Sequence, residues 1–158
     1  MSKAFSHDTR PSYLRRGVAI LALTVLAIFH VQADQSGLPE AIVGKAGPLS
    51  GQDVQYHQAN PLSIGYLATP AGDGPHPSVI LIHEWNGLVQ RVKETADSFA
   101  KEGYIALAAD LYSGRTGANP DENMALVRET LSKPEELIAN LNSAVFYLKK
   151  QKNSNQKV

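Results

Sequence analysis

The clearest alternation of apolar and polar positions in this chain lies between Ser78 and Asp110. Ser78–His83 is an almost wholly apolar run rich in β-branched residues. Such a run suits a strand buried on both faces, as in a parallel sheet. Gly87 follows and permits a sharp turn. Val89–Glu102 then takes helical spacing, with Val92, Ala96, Phe99 and Ala100 near one stripe and Arg91, Lys93, Glu94 and Asp97 around the rest. Gly103 is a natural helix stop, because glycine enters the left-handed cap without steric cost. Tyr104–Ala109 is a second apolar run and ends on Asp110. Strand, crossover helix and strand in this order predict a right-handed parallel βαβ unit. Ligands of open α/β sheets bind at the carboxyl ends of the strands. Those ends are His83-Glu84-Trp85-Asn86-Gly87 and Asp110-Leu111-Tyr112, so the chemistry is expected there.

The flanking patterns extend this unit. Asp34–Gly51 reads as a loose lead-in, followed by short strands at Val54–His57 and Leu62–Ala68 on either side of an Asn60-Pro61 turn. In the second strand Leu62, Ile64, Tyr66 and Ala68 alternate with Ser63, Gly65 and Leu67, which predicts the outer strand of a hairpin. Thr69–Pro77 is a turn-rich loop. Beyond Asp110, Tyr112–Asn119 is a polar loop. Asn119-Pro120-Asp121-Glu122 then offers a capping side chain, a first-turn proline and acids at the positive end of the helix dipole. That helix is expected to reach about Leu131. Ser132 and Glu135 stand at capping-box spacing before a last helix with Leu137, Ile138, Leu141, Ala144, Val145 and Leu148 on one stripe. Lys149, Lys150 and Lys152 suit its negative end. Asn153–Gln156 reads as a turn, and Lys157-Val158 as the first step of another strand.

The amino terminus has a different character. Met1–Arg16 is polar and basic, Gly17–Phe29 is uncharged and apolar, and Val31-Gln32-Ala33 offers a processing site. This three-part pattern predicts a secretory signal peptide cut after Ala33. The apolar run is shorter than the roughly 20 residues of a membrane span, so a retained anchor is the lesser alternative. Arg15-Arg16 invites a twin-arginine reading, but the flanking residues favour the general secretory route. A secreted or periplasmic location is expected, with residues 1–33 a signal peptide, 34–61 a lead-in with the first strand, and 62–158 the main domain.

Charge and composition narrow the partners. The whole chain has no net charge, but residues 1–33 hold four basic residues and one acid, which leaves residues 34–158 at a net −3. A mildly acidic domain shows no nucleic-acid face. The chain has no cysteine, which excludes disulfides, thiolate metal sites and a cysteine nucleophile within these residues. His83, Glu84 and Asp110 do not have metal-ligand spacing, and no cofactor or metal is expected.

The words HEWNGL after the first central strand and GYIALAADLY after the helix resemble the dienelactone hydrolase family, a branch of the α/β-hydrolases. The likeness extends from about Leu62 to Val158. It implies an α/β fold, a mixed, mostly parallel sheet with flanking helices of the eight-stranded α/β-hydrolase type. It also implies hydrolysis of a small-molecule lactone or ester by a nucleophile, usually cysteine, supported by Asp and His. In that family the nucleophile sits on a strand-to-helix turn of the form Gly-x-Cys/Ser-x-Gly. No such segment occurs here, and Gly47–Gly51 has the wrong spacing. The turn would begin just after Lys157-Val158. The expectation is therefore a partial fold, the amino-terminal portion of such an enzyme, inactive alone. The rival reading is a secreted, non-catalytic binding or assembly module on the same scaffold. The exposed edge of the Ser78–His83 strand further predicts self-association or capture of a partner chain.

By the same resemblance, Glu84 matches a glutamate that hydrogen-bonds near the nucleophile, and a carboxylate at a strand end in a partly dry pocket is a means of tuning ionisation. Trp85 matches the residue whose backbone N–H forms half of the oxyanion hole. Asn86 and Tyr112 are candidate substrate contacts, and Asp110 is expected to cap its loop by local hydrogen bonding. His83 reads as a structural residue, His57 and His76 as exposed ones, and Arg115 and Arg128 as solvated surface charges that could otherwise clamp a carboxylate.

Overall fold

The computed structural model describes residues 44–45 and 47–158. The signal peptide expected at residues 1–33 lies outside the described residues. The chain forms strands β1 (Gln52–Gln55), β2 (Ile64–Ala68) and β3 (Ser78–Ile82), helix α1 (Gln90–Lys101), strand β4 (Ile105–Ala109), and helices α2 (Pro120–Leu131) and α3 (Pro134–Lys149). The sheet order is β1-β2-β4-β3. β1 and β2 are antiparallel, as are β2 and β4, whereas β3 and β4 are parallel with Ser78 opposite Ile105 and Ile82 opposite Ala109. The sheet is thus mixed, and its parallel part is the predicted βαβ unit.

Helices cover both faces. On one side α1 sets Val92, Ala96 and Ala100 against Tyr66, Ala68, Ala106 and Ala108. The alanines on both elements let the backbones approach closely. On the other side Ala144 and Leu148 of α3 pack on Leu67, Ile105, Leu107 and Ala109. Leu107 is fully buried at the centre of this cluster, where truncation to alanine costs about 2–5 kcal/mol. α2 packs against α3 rather than on the sheet.

Helix α2 starts as its sequence predicts. Asn119 Oδ1 accepts from Glu122 N–H at 3.0 Å, and Glu122 Oε2 accepts from Ala118 N–H at 2.9 Å. The capping box expected at Ser132 and Glu135 does not form. Ser132 instead ends α2, its hydroxyl donating to the Glu129 carbonyl at 2.7 Å, and α3 begins one residue later behind Lys133 with Pro134 in its first turn. A proline needs no intrahelical donor there, so it starts a helix without a side-chain cap.

β2 is also corrected. It lies between β1 and β4, not at the sheet edge, and Tyr66, Leu67 and Ala68 are all buried. Leu62, the first of the residues read as alternating along this strand, lies before it and is 65% exposed. The apolar alternation there reflects one end of a strand buried on both faces. β1 takes the outer position instead.

The lead-in is tied down by polar bonds as well as by Leu49, which packs against the cluster under α1. Ser50 N–H donates to Asp97 Oδ2 at 2.9 Å, Gly51 N–H to Tyr66 Oη at 2.5 Å, and Tyr66 Oη–H to Asp97 Oδ1 at 2.7 Å. Burial pushes the Tyr66 hydroxyl up to about 12, its bond to Asp97 acts in the same direction, and the Gly51 N–H opposes them in part. Burial alone would raise Asp97, but the bonds from Ser50, Tyr66 and Gly51 outweigh it and hold the carboxyl below its usual range.

Candidate functional site

The loops after β3 and β4 form one connected surface at the carboxyl end of the parallel pair. Gly117 N–H donates to the Asn86 carbonyl at 3.2 Å, and Gly87 forms an antiparallel bridge with Thr116. Gly87 has φ +92°, and a Cβ there would meet the Arg115 carbonyl oxygen at 2.6 Å. Only glycine supplies both the left-handed backbone and the close approach.

His83 joins the same two loops from below. Its Nδ1 lies 2.8 Å from the Glu84 carbonyl and its Nε2 lies 3.2 Å from Leu111 N–H. One acceptor and one backbone donor assign a neutral ring with the proton on Nδ1. The Tyr112 ring meets it edge to face at 4.5 Å. Burial lowers the His83 pKa from its ordinary value, against the opposing pull of Asp110. His83 is therefore a structural strut. Asp110 caps its loop as expected, accepting from Tyr112 N–H at 2.9 Å and Gly114 N–H at 2.6 Å.

This framework presents Glu84, Trp85 and Asn86 at its tip. Gly87 N–H closes a turn onto the Glu84 carbonyl at 3.1 Å. Asn86 is buried, whereas Trp85 is 45% exposed. Among the described residues the Trp85 N–H has no acceptor. Glu84 is solvent-exposed and pairs with Arg91 near the start of α1, so the partly dry surroundings expected for its carboxylate are not found among the described residues. Tyr112 is buried against His83, and burial raises its hydroxyl pKa.

Other residues fall elsewhere. Arg115 grips Glu129 through two bonds of 2.8 and 2.9 Å, so its fork is occupied. His57, expected to be exposed, is buried, with Nδ1 2.9 Å from Ser143 Oγ. It lines a cavity of about 400 Å³ with Asn60, Ser63, Arg115, Glu129 and Asn140, to which neither Glu84 nor Trp85 contributes. Sequence reasoning missed Tyr56 and Asn140. Tyr56 Oη lies 2.5 Å from Asn140 Oδ1, and Asn140 Nδ2 donates to the Asp110 carbonyl at 3.0 Å, so this buried pair anchors the end of β4. The available signal was Asn140 at i−4 and i−8 from Ala144 and Leu148, a polar residue on an apolar stripe. Among the described residues no cluster of three or more His, Asp or Glu side chains is placed to hold a metal, and no helix is long and apolar enough to cross a membrane.

A dienelactone hydrolase family profile matches residues 64–158, well over half of the chain. The chain belongs to the dienelactone hydrolase family. Protein usf of Aquifex pyrophilus is 37% identical over 103 residues, which cover 63% of this chain and 44% of that protein. A protein of Aquifex aeolicus described as a carboxymethylenebutenolidase is 38% identical over 86 residues, 52% of this chain and 36% of that one. The hydrolase fragment YghX of Escherichia coli K12 is 40% identical over 112 residues, 68% of this chain and 96% of its own length. Among solved structures, a dienelactone hydrolase-like promiscuous phosphotriesterase from metagenomic libraries superimposes with a TM-score of 0.59 at 23% identity, covering 70% of this chain and 46% of the other. That likeness shows the α/β-hydrolase fold. This dienelactone hydrolase family chain spans under half the length of the two Aquifex relatives.

Proposed function

We propose that this chain supplies the oxyanion side of an exported lactone or ester hydrolase and does not turn over substrate by itself. The observation that carries this reading is the Trp85 amide. It is held at the tip of two latched loops, with no acceptor among the described residues. A backbone donor fixed before substrate arrives is what stabilises a developing alkoxide, since no reorganisation is then needed. Glu84 would stand near the nucleophile once its link to Arg91 is exchanged for that neighbour. Asn86 and Tyr112 would shape the pocket floor. The nucleophile, the acid and the histidine are not found in Met1–Val158 in the family arrangement. Export rests on the Met1–Ala33 pattern, and the substrate class on the family and on the relatives described as carboxymethylenebutenolidases.

The test is an assay of the purified chain on a p-nitrophenyl ester. The expected result is no turnover above a Glu84→Ala control, and turnover above it would refute the reading. A second reading, a secreted non-catalytic binding module, is favoured by the polar cavity beside His57 and Asn140. Saturable binding of a small molecule in that cavity, lost in Asn140→Leu, would support it over the first.

A further inference from the structure

A cavity of about 400 Å³ sits behind the loop that follows β4. Its walls all lie between His57 and Asn140, in the β1–β2 turn, that loop, and helices α2 and α3. None comes from β3 or from the residues after α3. Its size falls within the range of small-molecule sites, about 300–1,000 Å³.

Some of its polar side chains are fully engaged by the fold. Asn60 Nδ2 donates to Ser113 Oγ at 2.8 Å, while its Oδ1 accepts from Leu62 N–H at 3.1 Å. Asn140 Nδ2 is divided between the Asp110 carbonyl at 3.0 Å and Ser63 Oγ at 3.4 Å. Other groups are left over, and their partners fix their polarity. Ser143 Oγ donates to the Ala139 carbonyl at 2.9 Å, so its contact with His57 is a bond received from the Nδ1 proton. In the neutral ring that leaves Nε2 an acceptor, and it has no partner among the described residues. Ser63 and Ser113 each accept one bond, from Asn140 and Asn60, and donate none among the described residues. His57 and Ser63 are both buried. The cavity thus offers one acceptor and two hydroxyl donors, all uncharged.

The charged side chains of the lining cancel. Arg115 is held by Glu129, and Lys133 Nζ lies 3.8 Å from Glu136 Oε2. An anion would find no unmatched base there, and a cation no unmatched acid. Leu111, Leu137 and Ala139 add apolar lining. A ligand that donates and accepts without carrying charge, and that has a hydrocarbon face, meets all of these groups.

We propose that this cavity binds a neutral, polyhydroxylated small molecule of monosaccharide size. One ligand hydroxyl donates to His57 Nε2, and others accept from the Ser63 and Ser113 hydroxyls. That the cavity binds a small molecule at all is the second reading above, on which this ligand class rests.

The experiment titrates the full chain, in mildly alkaline buffer, with D-glucose, D-galactose and myo-inositol. Glucuronate is the anionic comparison and choline the cationic one. Calorimetry reads affinity, and nitrogen NMR of the His57 ring reads the site. The expected result is that at least one neutral probe saturates a single site, shifts the His57 Nε2 resonance and binds at least about 10-fold more tightly than glucuronate or choline, since an unmatched charge is costly to desolvate. Ser63→Ala removes one donor and should weaken binding about 3- to 10-fold. Ser113→Gly removes the other and relaxes a backbone at φ +56°, so it should weaken binding similarly without loss of the fold. The proposal is overturned if glucuronate or choline shifts that resonance and binds at least as tightly as the neutral probes, a result that keeps the second reading. It is also overturned, with the second reading again kept, if a neutral probe shifts the resonance but binds both serine variants as it binds the parent chain. Neutral probes that bind without shifting the resonance, or no binding by any probe, sink both.

Discussion

Tyr56 and Asn140 meet at 2.5 Å beneath the end of β4, one just past the first strand and the other in the last helix. Both are buried, and burial pushes the Tyr56 hydroxyl far above its ordinary pKa. Since Asn140 also holds the Asp110 carbonyl, the pair fixes where the second loop of the site begins.

Tyr56→Phe removes the donor and leaves Asn140 Oδ1 buried without it. An unsatisfied buried acceptor costs about 1–3 kcal/mol. Asn140→Ala leaves the tyrosine hydroxyl donating to the Asp110 carbonyl at 3.1 Å, and the double variant, which removes that bond too, should depart from the sum of the singles because the partners are shared. Chemical denaturation of the four proteins measures the coupling, and strict additivity would show that the two side chains act independently.

The Tyr66–Asp97 bond predicts opposite pH limbs for one contact. Asp97 is depressed in the fold, so its contribution is present above its ordinary value of 3.8 and is lost as pH falls through the folded value. Tyr66 is raised to about 12, so its contribution is present below 10.0 and fades as pH rises towards that value. Tyr66→Phe should flatten the alkaline limb of a stability–pH curve, and Asp97→Asn the acid limb. Unchanged limbs in both variants would remove this bond from the stability of the lead-in.

His83 gives a third signature. Its folded pKa lies below the ordinary 6.5, so the unfolded chain binds the proton first as the solution is acidified. Stability from the neutral ring is full above about 6.5 and declines as pH falls through the lowered folded value. Ring-proton titration by NMR reads that value directly, and a midpoint at or above 6.5 would contradict the buried neutral strut.

The contrast between what the chain announced and what it hid follows from how each element is stabilised. The βαβ unit was readable because Ser78–Ile82 and Ile105–Ala109 are apolar runs, the second buried throughout, and because Gly87 and Gly103 have positive φ. The start of α2 was readable because its cap is local in sequence. The position of β2 was not, since its neighbours are set by β4, about forty residues away, and not by its own alternation. Of the candidate site, Glu84, Trp85 and Asn86 were found from a short word in the sequence. The buried polar contacts elsewhere were missed where the partners are remote: His57 to Ser143 and Tyr56 to Asn140 each span over eighty residues.

Gly87 tests whether the latched loops matter. Substituting alanine forces a side chain into φ +92° and places its Cβ 2.6 Å from the Arg115 carbonyl. The strained backbone alone costs of order 1–3 kcal/mol. The contact is with backbone, which cannot rotate aside, so the Gly87–Thr116 bridge and the Gly117–Asn86 bond should open together. Hydrogen exchange should then accelerate at Gly117 while the amides of β4 keep their protection. Gly103→Ala is the control: it has the same φ of +92° but no neighbour within 4 Å of the added carbon. It should pay the backbone cost without releasing Gly117. Equal exchange at Gly117 in both variants would mean that the two loops do not hold each other, and the Trp85 amide would then lack the fixed platform that an oxyanion donor requires.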